Sequence, residues 1–294
     1  MQLTPRDVEI VLLVYSFSGV AIYHLLQAFW EQKADLKVGA RNAVYRRVNK
    51  LIEAGFLRAD RLPSVTGYGG GRLFLTLGTR GKDLVAEHQG LSRSELKPLR
   101  HIETPFTAAH HLAICDFRLA LTQAIEHSGL VSLTSWVSER ELRTPPIVKI
   151  ADPKPGPSAS PSPLIPLISD GEFTLRFLGV GEQSYRLEID MGTIPAKRMC
   201  AKIRGYLAYF NRDDRPVLWV VPDPRRQQAV MRWCHQEAED LNADPTMFWV
   251  THRWAKDASA ETPTEMVTAQ TILRPIWQVV DGPILALVPT ALNP

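Results

Sequence analysis

Residues 40–58 read ARNAVYRRVNKLIEAGFLR, and the placement of this stretch decides how the rest of the chain is read. Val44, Val48, Leu51 and Ile52 recur at helical spacing on one face, while Asn42, Arg46, Asn49 and Lys50 fall on the opposite one. Gly55 stands just past the last periodic residue, where a left-handed cap commonly ends a helix. Phe56-Leu57-Arg58 then reads as the start of a strand. The stretch is therefore predicted to be a helix over about 40–54, with one face for a core and one for a polar partner.

Working outward from it, Thr4 and Pro5 make a helix start, a capping residue followed by a proline that lacks only an N–H the first turn does not use. Val8, Val11, Leu12 and Tyr15 mark that helix, and Ile22, Leu25, Leu26 and Phe29 mark a short second one. On the other side, the Gly-rich residues 63–71 join Phe56-Leu57-Arg58 to the alternating run Arg72–Leu77, as the tip of a hairpin does. Three helices, a tight turn and a hairpin in this order predict a winged helix-turn-helix over 1–90. A helix fits the major groove and presents side chains to base edges there. The residues placed for double-stranded DNA are Arg41, Asn42, Tyr45, Arg46, Arg47, Asn49 and Lys50 on the helix, with Tyr68 and Arg72 at the hairpin tip. The bland alternatives are a solvated helix and a protein-interaction module.

Charge supports a polyanion contact at the front. Residues 1–100 carry 15 Lys and Arg against 9 Asp and Glu, a net of +6, and the remainder carries 19 against 22. No apolar run approaches the ~18–20 residues that span a bilayer, and the N-terminus lacks a signal-peptide layout. A cytoplasmic protein without a membrane partner is expected. Cys115, Cys200 and Cys234 lie far apart, so zinc-ribbon and redox spacings are absent and reduced thiols are expected.

Residues 91–130 read as a connecting helical segment, with a long helix over about 107–127. A second domain is expected over 131–294. It begins with a strand over about 131–142 and carries an exposed Pro- and Ser-rich loop at 151–166. Beyond it, strands at 172–177, 185–190, 216–221 and 247–251 alternate with helices at 195–210 and 224–241. The fold class is therefore α/β (mixed α+β). His110-His111 is read as packing or a helix-end hydrogen bond, because adjacent helical residues point about 100° apart. Arg225-Arg226 is read as a solvated helix end.

Several short motifs run through the chain. They are Arg41-x3-Tyr45-x2-Val48-x2-Leu51, Gly55-Phe56-Leu57 and Leu75-Thr76-Leu77-Gly78-x2-Gly81 in front. His110-His111-Leu112 and Asp116-x-Arg118-Leu119-Ala120 lie in the middle. Ile168–Phe173, Glu188–Thr193 and Lys202-x3-Tyr206 lie behind. In these the chain resembles the replication-relaxation family. The resemblance implies a DNA-binding protein of a plasmid or other mobile element, acting in replication or transfer control or in transcription, with other mobile-element proteins as candidate partners; a homodimer is expected on general grounds, because paired half-sites multiply affinity and specificity.

It also implies a restriction-endonuclease-like second domain of the PD-(D/E)xK kind. Asp170, Glu188 and Asp190 are spaced like its acidic core, in which two carboxylates, here Asp170 and Glu188, hold a divalent ion such as Mg²⁺. The lysine usual two residues past the second acid is Asp190 in this chain, which leaves Lys197 or Lys202 on the following helix to reach back. Three readings stay open: an active Mg²⁺-dependent endonuclease using Asp170, Glu188, Asp190 and Lys202; a nuclease-like fold kept as a scaffold or dimerisation surface, with no cofactor; and an unrelated α/β sensor. The second is preferred because the lysine is missing and a fold does not dictate its chemistry.

Overall fold

The computed structural model describes residues 1–30, 38–62, 73–96, 104–144, 147–154, 164–210, 215–255 and 264–289. The chain divides into two compact units, 1–119 and 120–294. Both mix helices and sheet, as expected. No helix among the described residues is long and apolar enough to cross a membrane.

The first unit opens with α1 (Pro5–Ser16). Its start is a closed capping box. Thr4 Oγ1 accepts from the Asp7 N–H at 3.4 Å, and the Asp7 carboxylate accepts from the Thr4 N–H at 2.6 Å and from Oγ1 at 2.7 Å. The buried stripe of α1 is Asp7, Ile10, Val11 and Val14, one step round from the expected one. Ser18 and Gly19 then turn the chain with positive φ, and Gly19 sits where an added Cβ would fall 2.4 Å from the Phe74 ring. Only glycine fits both conditions.

After the turn come β1 (Val20–Ala21), α2 (Ile22–Phe29), α3 (Val38–Glu53), β2 (Leu57–Arg61) and β3 (Leu73–Leu77). The strands form an antiparallel sheet in the order β1-β3-β2, with Val20 opposite Leu75 and Leu57 opposite Leu77. Gly55, at φ +78°, ends α3 as its sequence predicts. Val44, Val48 and Leu51 of α3 are buried with Leu25 of α2 and with Ile10, Val11 and Val14 of α1.

α4 (Thr79–Gln89) follows, and then α5 (Pro105–Ser128), within which the two units divide. The first half of α5 does more than connect. Cys115 and Leu119 join the core just described, and Ala108 and Leu112 bury against Ala21, Leu62 and Phe74. His111 is buried, as the packing reading of it expects, and its Nε2 lies 3.0 Å from the Gly19 carbonyl in the turn after α1.

In the second unit, β4 (Val131–Ser138) ends earlier than its sequence suggests, and 139–142 form the short helix α6 (Glu139–Leu142). The cause is local. Ser138 and Glu141 form a capping box, with the Glu141 carboxylate accepting from the Ser138 N–H at 2.9 Å and hydroxyl at 2.7 Å. The ends of the proline-rich segment are also not loop. β5 (Lys149–Ala151) pairs antiparallel with β6 (Leu164–Pro166), while 155–163 lie outside the described residues.

β7 (Gly171–Phe177) and β8 (Gly181–Ile189) form a hairpin, followed by α7 (Ala196–Phe210), β9 (Val217–Val221), α8 (Pro224–Leu241) and β10 (Phe248–His252). Four further short strands form two pairs: β11 (Trp254–Ala255) pairs with β12 (Thr264–Glu265), and β13 (Trp277–Val279) pairs with β14 (Ile284–Leu285). The main sheet runs β14-β13-β10-β9-β8-β7-β4, parallel across β8-β9-β10 and antiparallel elsewhere. It is wider than the short sheet expected, because β4, β13 and β14 extend it. β9 is buried along its whole length at the centre, as its unbroken apolar run predicts.

Strand alternation sorts the side chains. Val217, Trp219, Val221, Phe248 and Val250 pack against Met199, Ile203, Tyr206 and Leu207 of α7 and Val230, Cys234 and Ala238 of α8. By register, Glu172, Arg186 and Glu188 point to that same helix-covered face. The other face carries a row of rings, Trp136 on Phe173, Phe173 on Tyr185 and Tyr185 against Trp249.

Candidate functional site

Helix α3 presents its polar face outward. Asn42, Tyr45, Arg46, Asn49 and Lys50 are exposed, Tyr45 by 46%, on a helix whose opposite face is core. Arg46 Nε lies back along the helix, donating to the Asn42 carbonyl at 3.3 Å. Neither Arg46 nor Lys50 has a carboxylate partner among the described residues. The face thus combines two cations, two amides and a phenol on about two turns.

Arg47 departs from its expected role. Its guanidinium forks onto both oxygens of the Asp7 carboxylate, which is 1% exposed. Burial pushes that carboxyl up, but hydrogen bonds from Arg47 and Thr4 outweigh it and hold its pKa at about 2. The position explains the difference: Arg47 follows Val44 by three residues and stands at the edge of the apolar stripe, within reach of α1. It fastens α3 to α1. The side chain of Arg41, and Tyr68 and Arg72 entirely, lie outside the described residues.

A polar cluster that sequence reasoning missed lies at the start of α2. His24, fully buried, accepts from the Ala21 N–H through Nδ1 at 3.1 Å and donates through Nε2 to Asp116 of α5 at 2.9 Å, and Tyr23 donates to the same carboxylate at 2.7 Å. The signal was the Asp116 motif, but nothing in it names the partner.

In the second unit the acidic residues are buried and spoken for. Asp170, just before β7, accepts from the Ile189 N–H at 2.7 Å and so ties the hairpin strands together. Glu188, 2% exposed, accepts from Lys202 Nζ and from the Tyr206 hydroxyl, both on α7. Burial pushes the Glu188 carboxyl up to about 7, against the pull of the Lys202 ammonium. Asp190 turns away from this pair. It takes the Arg226 guanidinium of α8 and the Gly192 N–H, the latter at 3.0 Å. Arg226 is therefore an ion-pair partner and not a solvated helix end.

Of the two lysines that could reach back, Lys202 meets Glu188 and Lys197 is exposed; the Tyr206 contact was not read from the sequence, and Asp190 belongs to a separate contact. Among the described residues, no group of three His, Cys, Asp or Glu side chains is arranged to hold a metal ion. The donor chemistry agrees: Glu188 already has an ammonium and a phenol on it, and Asp190 a guanidinium. As arranged, this set does not fit a divalent ion.

A third buried network was not read from sequence. Arg204 of α7 donates to both oxygens of Asp152 at 2.7 and 2.8 Å and to Glu237 of α8 at 3.1 Å. The Arg204 fork holds the Asp152 carboxyl below its ordinary range.

No curated protein and no solved structure matches the chain. A protein-family model, described as replication-relaxation, matches residues 22–217, two thirds of the sequence. That span runs from α2 to the first residue of β9. It holds both the exposed face of α3 and the Asp170–Glu188–Lys202–Tyr206 region. The chain belongs to the replication-relaxation family.

Proposed function

We propose that the protein binds double-stranded DNA through α3, acting in the control of replication or transfer of a plasmid or other mobile element. One observation carries the reading: a helix whose inner face is locked into a core leaves Asn42, Tyr45, Arg46, Asn49 and Lys50 together in solvent. The surrounding order α1-β1-α2-α3-β2-β3, with β1 and β2 flanking β3, supports reading this unit as a winged helix-turn-helix. Such a module lays its third helix in the major groove. Arg46 and Asn49 are suited to base edges, and Lys50 and Tyr45 to phosphates. The second unit, in this reading, is a nuclease-like scaffold with its carboxylates internally neutralised, and it contributes a dimerisation surface that pairs two DNA half-sites.

A mobility-shift titration with duplex from the neighbourhood of the encoding gene tests the reading, run at two salt concentrations with and without Mg²⁺. Binding should weaken steeply with salt as phosphates release counterions. Arg46→Ala with Lys50→Ala should lower affinity at least tenfold. With Lys50 on a phosphate, the log–log salt slope should fall by about 1. A double variant that binds like the parent would overturn the reading. Metal-dependent shortening of the duplex, abolished by Asp170→Ala, would instead identify an endonuclease.

A further inference from the structure

Strand β4 is the outermost strand of the main sheet, with β7 as its neighbour among the described residues. The two edges of that sheet are built differently. β14 is two residues long and follows Pro283, a short edge that resists further pairing. β4 is eight residues long, reads VSLTSWVS and carries neither a charge nor a proline. Ser132, Thr134 and Ser135 are exposed along it. A long uncharged edge in solvent is a template for another strand, and native proteins blunt such edges where they are not used. The register with β7 shifts between Leu133 and Ser135. Such a bulge can itself protect an edge. This one lies at the midpoint of β4, so a two-fold axis there sets bulge against bulge and leaves regular strand on either side.

The second observation is charge at the two ends of the strand. Just after β4, Arg140 of α6 is half-buried, and its Nη1 is buried with no hydrogen-bond partner. Burial pushes its pKa down with no carboxylate acting against it. The neighbouring acids are otherwise engaged, Glu139 with Arg143 and Glu141 with Ser138. A desolvated guanidinium without a counter-charge is uncommon in a folded protein and calls for an explanation. Just before β4, α5 ends at Ser128 and the chain turns at Gly129, φ +64°. The carbonyl end of a helix attracts cations, and Glu126 in that last turn is exposed, with no cation on it among the described residues. In an antiparallel pair the start of one β4 lies beside the end of the other, so Arg140 of each copy meets the α5 end of its partner, twice by symmetry. Leu130, 38% exposed, and Leu178, 66% exposed, are joined by a hydrogen bond at this same corner, an apolar surface for the Arg140 stem to cover.

We propose that two copies of the chain pair antiparallel along β4, joining their main sheets into one, with Arg140 of each copy set against Glu126 and the carbonyl end of α5 in the other. Main-chain hydrogen bonds hold the strands together, as in other strand additions, and the charge pairs fix the register. The proposal deepens the reading of the second unit as a dimerisation surface and rests on it. DNA contact through α3 does not depend on it.

Sedimentation velocity of the full chain across the micromolar range tests this. The parent should show a monomer–dimer equilibrium. Thr134→Lys brings two ammonium groups together at the two-fold and should weaken the dimer tenfold or more. Arg140→Glu and Glu126→Lys should each weaken it by a similar factor, because like charges then face one another. The two reversals combined should recover most of the loss, since opposite charges meet again across the axis. Thr134 and Glu126 are exposed, so those two variants decide the matter if Arg140→Glu fails to fold. A parent that stays monomeric, a Thr134→Lys protein that dimerises as the parent does, or a double reversal that folds and recovers nothing would each overturn the proposal. The mobility shift separates this from the reading of α3. A monomer that shifts duplex DNA overturns the pairing alone, and a dimer of the expected behaviour that shifts none supports the pairing and overturns DNA binding.

Discussion

Replacing Arg47 by Met tests the division of labour on α3 most directly. Asp7 lies in the core side of α1 with its carboxylate held by Arg47 and Thr4, and its pKa falls from an ordinary 3.8 to about 2. At 1.36 kcal/mol per pH unit, holding that carboxylate ionised stabilises the fold by roughly 2–3 kcal/mol near neutral pH. Because the folded-state pKa is depressed, this contribution is present above pH 3.8 and is lost as pH falls through about 2. Arg47→Met leaves a buried carboxylate with only the Thr4 donors. Breaking one side of a buried pair costs about 3–5 kcal/mol, and the surviving Thr4 bonds place this case near the low end. Asp7→Asn should destabilise by roughly 2–3 kcal/mol at pH 7 and remove the acid-limb dependence. Urea unfolding at several pH values gives the totals. Hydrogen exchange of the α1 and α3 amides localises the loss to the first unit. Under conditions where it is folded, Arg47→Met should keep the DNA affinity and salt slope of the parent. The reasoning is refuted if the variant loses less than about 1 kcal/mol and its salt slope falls as that of a Lys50 variant does. Arg47 would then be a phosphate contact that merely rests on Asp7.

Two further outcomes concern the second unit. Arg204→Met should destabilise it by about 3–5 kcal/mol, because Asp152 and Glu237 are left buried without their shared cation; Arg204→Lys should recover little of this in urea unfolding, since an ammonium cannot fork onto Asp152. Glu188→Gln should flatten the pH dependence of unfolding. With the carboxyl raised from 4.5 to about 7, the stability it contributes is full below pH 4.5 and is lost as pH rises through about 7, a change of about 3 kcal/mol that the amide cannot show.

The parts of the fold that were legible in the sequence are those in which local signals and burial agree. The apolar stripe Val44-Val48-Leu51 with Gly55 behind it marked α3 and its end, and the unbroken run 217–221 marked the central strand. Periodicity tells which face of a helix is polar, but not which polar group has a partner. Arg46 and Arg47 are adjacent in sequence, and only the position of Asp7, forty residues away, separates a solvent-facing cation from a structural one. Arg226 shows the same limit, since its carboxylate at 190 sits on another strand's end. Helix α6 was lost for a different reason. The Ser138–Glu141 capping box was readable, but the alternating run 131–137 carried the strand reading through it. Strands β13 and β14 are too short, two or three residues each, to announce themselves.

The distribution of paired and exposed charge bears on what each unit is for. In the second unit, Glu188 takes Lys202, Asp190 takes Arg226, Glu172 takes Arg186 and Arg215, and Asp152 takes Arg204. Each of these contacts joins different elements of the sheet and its helices, so the cations serve as fasteners, and most of the carboxylates are too deep to meet a polymeric ligand. A divalent ion at Glu188 would have to compete with the Lys202 ammonium for a group that burial already drives toward the neutral acid. A lysine at position 190 would have pointed at no such competitor, and an aspartate there only adds a charge that Arg226 must balance. In the first unit the pattern is reversed: among the described side chains of α3, Arg47 is drawn inward, and Arg46 and Lys50 stay in solvent beside two asparagines. Cations held inside stabilise a fold without attracting a distant polyanion, because their fields are cancelled at short range. Cations left on one exposed helix face do attract it, within a Debye length of about 8–10 Å at ordinary salt. Arg46 and Lys50 are therefore the cations on which the proposed DNA contact rests.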